Sequence, residues 1–175
     1  MLRLFTQNQK SKPNNFAKNF QKSYDLDISI LRLFSTYGPK NSEYKVESII
    51  IKQLITKNLI KIGNLSPKRD FIYIDDVINA FQIVSENLKG FNIYNVGSEK
   101  SYSIQEICNI LKKLNGKKIR IITDKTKLRK NDVKNIVSNC SKIKKLGWKS
   151  NVSINEGLEL TLNWYISKNK TSRKF

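Results

Sequence analysis

Two spacings of apolar residues alternate along the chain. Ile28 to Phe34 is a nearly continuous apolar run, the pattern of a strand covered on both faces. Shorter runs at Ile60–Ile62, Phe71–Ile74, Phe91–Val96 and Ile119–Ile122 also read as strands. Between them the period changes to that of a helix. Phe16, Ala17, Phe20 and Tyr24 make one stripe; Val46, Ile49, Ile50 and Leu54 a second; Val77, Ala80, Phe81, Val84 and Leu88 a third. Ile104, Ile107, Cys108, Leu111 and Leu114 predict a fourth helix. Ile154, Leu158, Thr161 and Tyr165 predict the last, and a short helix over Ser141–Leu146 is followed by an apolar anchor, Trp148.

The boundaries of these elements carry their own signals. Pro13 suits a first helical turn, and Asp25-Leu26-Asp27 breaks the helix that follows it. Asp75 and Asp76 are expected to open the third helix, because a carboxylate accepts from the free N–H groups of a first turn. Ser103 with Glu106 and Ser153 with Glu156 have the spacing of capping boxes. Asn115-Gly116 and Gly147 are stop signals. Strands alternating with helices imply an α/β fold. The tetrapeptide Leu-Arg-Leu-Phe occurs at 2–5 and again at 31–34, but nothing around it repeats, so residues 1–12 are read as irregular. Residues 13–166 form the folded body, and 167–175 a basic, frayed tail.

Composition narrows the class. At 175 residues, with 39% hydrophobic and 27% charged residues, the chain is long enough for a real core and has the balance of a globular protein. No apolar run approaches membrane-spanning length, and the first residues do not make a secretory signal, so no membrane is involved and a cytoplasmic setting is expected. Cys108 and Cys140 show neither metal spacing nor a disulfide framework, and the absence of histidine removes the commonest metal ligand and acid–base group. No metal is expected. The net charge of +19, from 33 Lys+Arg against 14 Asp+Glu, invites a nucleic-acid reading. The lysines are scattered over nearly every surface instead of forming a stripe, so specific nucleic-acid binding ranks second.

The chemistry gathers around Arg69-Asp70-Phe71-Ile72-Tyr73-Ile74-Asp75-Asp76-Val77, a loop exit, a strand and a helix start. From the residues alone, Arg69 is either a surface partner of Asp70 or a fork offered to an anion, and Arg129 either pairs with Asp132 or does the same. The stretch resembles the R-D-F-I-Y-V-D-D-V signature of nucleotide-sugar epimerases and dehydratases in the extended short-chain dehydrogenase/reductase family. Further segments resemble that family in its order. They are Leu31-Arg32-Leu33-Phe34-Ser35-Thr36-Tyr37-Gly38-Pro39, Tyr94-Asn95-Val96-Gly97-Ser98, Arg129-Lys130-Asn131-Asp132-Val133, and Ser141-Lys142 through Leu146-Gly147-Trp148. Ser35 replaces the family's usual asparagine, and Lys130 and Asn131 depart from its R-P-G-D-V.

The resemblance implies the C-terminal end of a Rossmann-type parallel sheet plus a small mixed α/β substrate-binding domain. It also implies a nucleoside-diphosphate sugar as ligand, with Ser35, Arg69 and Arg129 as substrate contacts and the Leu33 backbone beside the cofactor. NAD is the cofactor of the full-length family, whose tyrosine deprotonates a sugar hydroxyl on the way to a 4-keto intermediate. Two parts of that machinery are missing here. The seven glycines never form a phosphate-cradling loop. Counting back from Arg32 places Lys10 at the catalytic lysine but Thr6 at the tyrosine, and the alternative register through Lys12 finds Asn8. A threonine hydroxyl is too weak an acid for that role. The chain is therefore expected to bind no NAD and to be inactive alone. It reads as the sugar-nucleotide-binding half of an enzyme whose N-terminal half lies on another chain or is lost, or as a non-catalytic partner of a separately encoded dinucleotide domain. A homo-oligomer is expected if unpartnered apolar faces remain.

Overall fold

The computed structural model describes residues 2–6, 12–57, 59–116, 118–128 and 132–171. In chain order these contain β1 (Leu2–Thr6), α1 (Lys12–Tyr24), β2 (Ile28–Leu33), β3 (Ser35–Tyr37), α2 (Val46–Thr56), β4 (Leu59–Ile62) and β5 (Lys68–Tyr73). There follow α3 (Ile74–Glu86), β6 (Phe91–Val96), β7 (Ser101–Ser103), α4 (Ile104–Asn115), β8 (Arg120–Thr123), α5 (Ser141–Lys144) and α6 (Ile154–Thr171). The strands that pair in β1–β2–β6 and β4–β8 run parallel, and the fold is mixed α/β. None of the described helices is long and apolar enough to cross a membrane.

The chain divides into two compact units. The first takes Met1–Thr36, Asp70–Lys100 and Val137–Val152. Its sheet has the order β1-β2-β6, with Leu4 opposite Leu31 and Leu31 opposite Tyr94. The apolar run of β2 is explained by its place: Ile28, Ile30 and Leu31 are buried in the central strand. Ile72, Val77, Ala80, Val84 and Trp148 complete one core with Leu31 and Leu33. Residues 2–6, expected to be irregular, form β1, because each of them pairs with β2, from Ser29 to Leu33. On α1 only Ala17 of the expected stripe is buried; Phe16, Phe20 and Tyr24 face outward as a ladder of rings with centroids 6.2 and 4.4 Å apart. The period located an apolar face but not what covers it.

Asp75 and Asp76 do not cap α3. Tyr73 occupies the cap position without a capping hydrogen bond from its side chain, and both aspartates lie within the first turn. Asp76 is buried and fastens the segment after α5. Its carboxylate accepts from Ser150 Oγ (3.0 Å), Asn151 N–H (3.0 Å) and Val152 N–H (3.1 Å), and its carbonyl accepts from the Trp148 indole (3.0 Å).

The second unit takes Tyr37–Arg69, Ser101–Ile136 and Ser153–Phe175. Helices α2, α4 and α6 pack on one another, and α2 packs on β4, which pairs with β8. Ile50, Ile51, Leu54, Ile60, Ile107, Leu111 and Leu158 are buried here. The capping box at α4 forms in full: the Ser103 hydroxyl accepts from Glu106 N–H (3.1 Å), and the Glu106 carboxylate accepts from Ser103 N–H (2.7 Å). Gly116, at φ 68°, ends that helix in the left-handed region that glycine tolerates. At α6 only the serine half is made, from Glu156 N–H to Ser153 Oγ (3.2 Å). The helix runs on to Thr171, so the expected frayed tail from 167 is helical for five residues.

Helix α2 is turned relative to expectation. Glu47, Ile50, Ile51 and Leu54 point inward, while Val46 and Ile49 are half-buried. The inward set keeps helical spacing but begins with an acid, which an apolar pattern does not count. Glu47 is 2% exposed and accepts from Asn41 Nδ2 at 2.5 Å. Burial, only partly offset by its hydrogen bonds and by Lys45, pushes its carboxyl up to about 7.

Candidate functional site

Arg69 stands on a rack built by the second unit. Strand β5 begins at Lys68, whose N–H donates to Lys134 O (2.8 Å) and whose carbonyl accepts from Ile136 N–H (3.1 Å). Segment 132–136 is thereby laid alongside the start of β5. The Arg69 guanidinium then reaches three acceptors. Nη1 donates to Lys68 O (2.8 Å) and Val133 O (2.7 Å), and Nη2 pairs with Asp132 Oδ1. The side chain is 19% exposed, so its plane is fixed while an edge remains reachable. A guanidinium held this way presents a forked cation to phosphate or carboxylate oxygens with little ordering left to do.

The local pairing read from the sequence is replaced by a distant one. Arg69 is the ion partner of Asp132, 63 positions away, and not of Asp70. Successive residues of a strand point to opposite sides, which separates Arg69 from Asp70. Asp132 is therefore engaged by Arg69. Arg129, with Lys130 and Asn131, lies outside the described residues, as does Lys10.

In the first unit, Asp70 is 1% exposed and gathers the loops beyond β6 and before α5. It accepts from the N–H groups of Ser98 (2.7 Å), Glu99 (3.1 Å) and Ser138 (2.9 Å) and from the hydroxyls of Ser98 (2.8 Å) and Ser138 (2.5 Å). Five donors compensate one buried carboxylate. Glu99, at φ 59°, ties the same loops again: Oε1 accepts from Cys140 N–H (2.9 Å) and Oε2 pairs with Lys144. The Lys144 ammonium, then the Cys140 N–H, hold the Glu99 carboxyl below the usual range. Leu33 and Ser35 flank the end of β2, where Phe34 N–H donates to Val96 O (3.0 Å); Leu33 is 9% exposed and Ser35 half-buried.

The turn at Gly97 does not fit a dinucleotide phosphate cradle. Gly97 closes a parallel strand, a place where such a cradle could lie. Its open side is filled: a Cβ there would stand 2.5 Å from Ser138 Oγ and 2.7 Å from Asp70 Oδ2. Gly97 serves the Asp70 knot.

Sequence reasoning missed Asp70, Asp132 and Glu47 as structural determinants. Asp70 had a signal, a carboxylate directly before the run Phe71–Ile74. Glu47 had a weaker one, three and four positions before Ile50 and Ile51. Asp132 had none that links it to Arg69.

Comparison with known proteins places this architecture. The family model for GDP-mannose 4,6 dehydratase matches residues 9–161. The chain is 40% identical to the UDP-glucuronate 4-epimerase of Thermodesulfobacterium geofontis over 144 residues, covering 81% of this chain and 44% of that protein. The UDP-glucose 4-epimerase of Thermotoga maritima, solved with UDP-glucose, superposes with a TM-score of 0.78 at 26% identity, over 89% of this chain and 51% of that one. The UDP-glucuronic acid 4-epimerase of Bacillus cereus, solved with UDP-glucuronic acid and NAD, gives 0.78 at 28% identity, over 88% and 50%. The chain thus spans about half the length of the curated relatives it matches. On its matched segments, and on a fold shared with solved members, the chain belongs to the nucleotide-sugar epimerases and dehydratases of the short-chain dehydrogenase/reductase family.

Proposed function

We propose that this chain is the sugar-nucleotide-binding portion of a nucleotide-sugar epimerase or dehydratase that works through a 4-keto sugar, and that it is inactive without a dinucleotide-binding half. The observation that carries the reading is the Arg69 rack, a pre-set guanidinium fork within a chain of this family. Arg69 and Arg129 take the pyrophosphate, and Ser35 meets the sugar. The Leu33 backbone lies beside the nicotinamide of NAD in the assembled enzyme. Lys10 stands at the family's lysine position, with no tyrosine at Thr6. Cradling NAD and supplying the base for the hydride step fall to the other half, whether it precedes these residues or is encoded apart. The name of the 40%-identical relative supports UDP-glucuronate as the sugar nucleotide.

The test joins this chain to the N-terminal half of the 40%-identical relative and follows C4 epimerisation of UDP-glucuronate. The joined protein should turn over and lose activity on Arg69→Ala, while the chain alone does neither. Turnover by the chain alone, or a folded, NAD-binding fusion indifferent to Arg69→Ala, contradicts the proposal.

A further inference from the structure

A second cationic and aromatic surface lies wholly within the second unit, away from the Arg69 rack in sequence and function. It is a half-open cleft of about 770 Å³ between the loop that follows β3, the later half of α2 and the last turns of α6. The residues that give it a chemistry are Lys40, Glu43 and Tyr44 from the loop, Lys52 from α2, and Trp164 and Lys168 from α6. Trp164 is half-buried, braced edge-on by Tyr165 with centroids 4.9 Å apart at 88°. The Lys168 ammonium stands over the indole, 5.2 Å from its centroid. Tyr44 is 92% exposed, a second ring on the opposing loop.

Among the described residues that line it, three lysines face one acid, and that acid is already in use. Glu43 pairs with Lys52, and the Lys52 bond and charge, with a smaller contribution from Lys168, hold its carboxyl below the usual range. Glu43 is carried on an exposed loop, its side chain 72% exposed, so an incoming anion can take its place on Lys52 at small cost. A braced indole beside a cation offers a planar ring a stacking surface and a phosphate a counter-charge in one reach.

We propose that this cleft binds a planar base carrying a phosphate, stacked on Trp164 with its phosphate between Lys52 and Lys168, displacing Glu43. The chemistry is shared by a free nucleotide and by a nucleotide within a single strand, and the test separates them.

The chain has two indole N–H groups, and that of Trp148 is bonded inside the first unit, so ¹⁵N spectra report the cleft through Trp164 alone. The probes are AMP, adenosine, inorganic phosphate and a short oligodeoxyadenylate. AMP should move the Trp164 signal saturably and leave that of Trp148 in place, with adenosine and phosphate each about tenfold weaker or more. Lys168→Glu, a change at an exposed position, should weaken AMP about tenfold or more. Glu43→Gln should tighten it by about two- to fivefold, as loss of a competing exposed ion pair implies. Trp164→Leu should abolish the effect and Trp164→Phe retain part of it. Tighter binding of the oligonucleotide than of AMP supports the cleft with a nucleic-acid strand as source; equal or weaker binding supports it with a free nucleotide. The proposal fails if AMP leaves Trp164 unmoved, if Lys168→Glu binds like the parent, or if Arg69→Ala removes the Trp164 response.

Discussion

At the scale of single residues, two buried carboxylates divide the stability of the chain. Glu47 is raised from 4.5 to about 7, so the folded state holds its proton more tightly than the unfolded state does. Between those values the unfolded chain has lost the proton and the folded one has kept it, so stability falls as pH rises from about 4.5 to about 7 and levels off above. Glu47→Gln keeps the oxygen that Asn41 bonds and removes the ionisation. It should leave stability at pH 4.5 nearly unchanged and raise it at pH 8 by about 3 kcal/mol, read from urea unfolding at both values. Equal stability of the two proteins at pH 8 would show that Glu47 ionises freely. Asp70 acts through hydrogen bonds, as a buried acceptor whose five donors are lost together. Asp70→Ala should cost about 3 kcal/mol or more and reduce the amide-exchange protection of Ser98, Glu99 and Ser138, since each buried donor left unmade is penalised. Unchanged protection at those three amides would refute its role as the knot.

At the scale of elements, local chemistry marks the ends better than it marks partners. Helix α4 illustrates the first: Ser103, Glu106 and Gly116 specify both termini within a few residues, and the structure realises all three. Ser103→Ala should cost about 1 kcal/mol by thermal unfolding, the worth of an N-cap; no measurable change would show the box to be ornamental. Strand β1 illustrates the second. Leu2–Phe5 carries the same tetrapeptide as Leu31–Phe34, yet it pairs two residues out of step, opposite Ser29–Arg32, and a repeat of four residues does not announce a pairing. Helix α2 was legible as a helix and misread in rotation, because a buried acid looks polar to any hydrophobic count. The Arg69–Asp132 pair spans 63 positions, so nothing local could reveal it, whereas the importance of Arg69 itself was visible in its surrounding motif.

At the scale of the whole molecule, the outward ladder on α1 and the net charge of +19 pull in opposite directions. Phe16 and Tyr24 are more than half exposed on one helix face, an apolar patch that favours association. The purified chain should therefore self-associate, and Phe16→Lys with Phe20→Lys should shift its sedimentation toward the monomer without changing its unfolding midpoint much. A monomeric parent under the same conditions would rule out this face as an association surface. The central claim concerns Arg69, and UDP titration by calorimetry at moderate salt tests it most directly. The Lys168→Glu background weakens any contribution from the Trp164 cleft. The account predicts weak but measurable binding by this background, about tenfold or more lost on Arg69→Ala and partly restored by Arg69→Lys, with Lys57→Ala and Lys89→Ala near the parent. Arg69→Ala binding UDP like the parent, while the lysine controls lose affinity, would mean that scattered charge and not a built fork holds the nucleotide, and would contradict it.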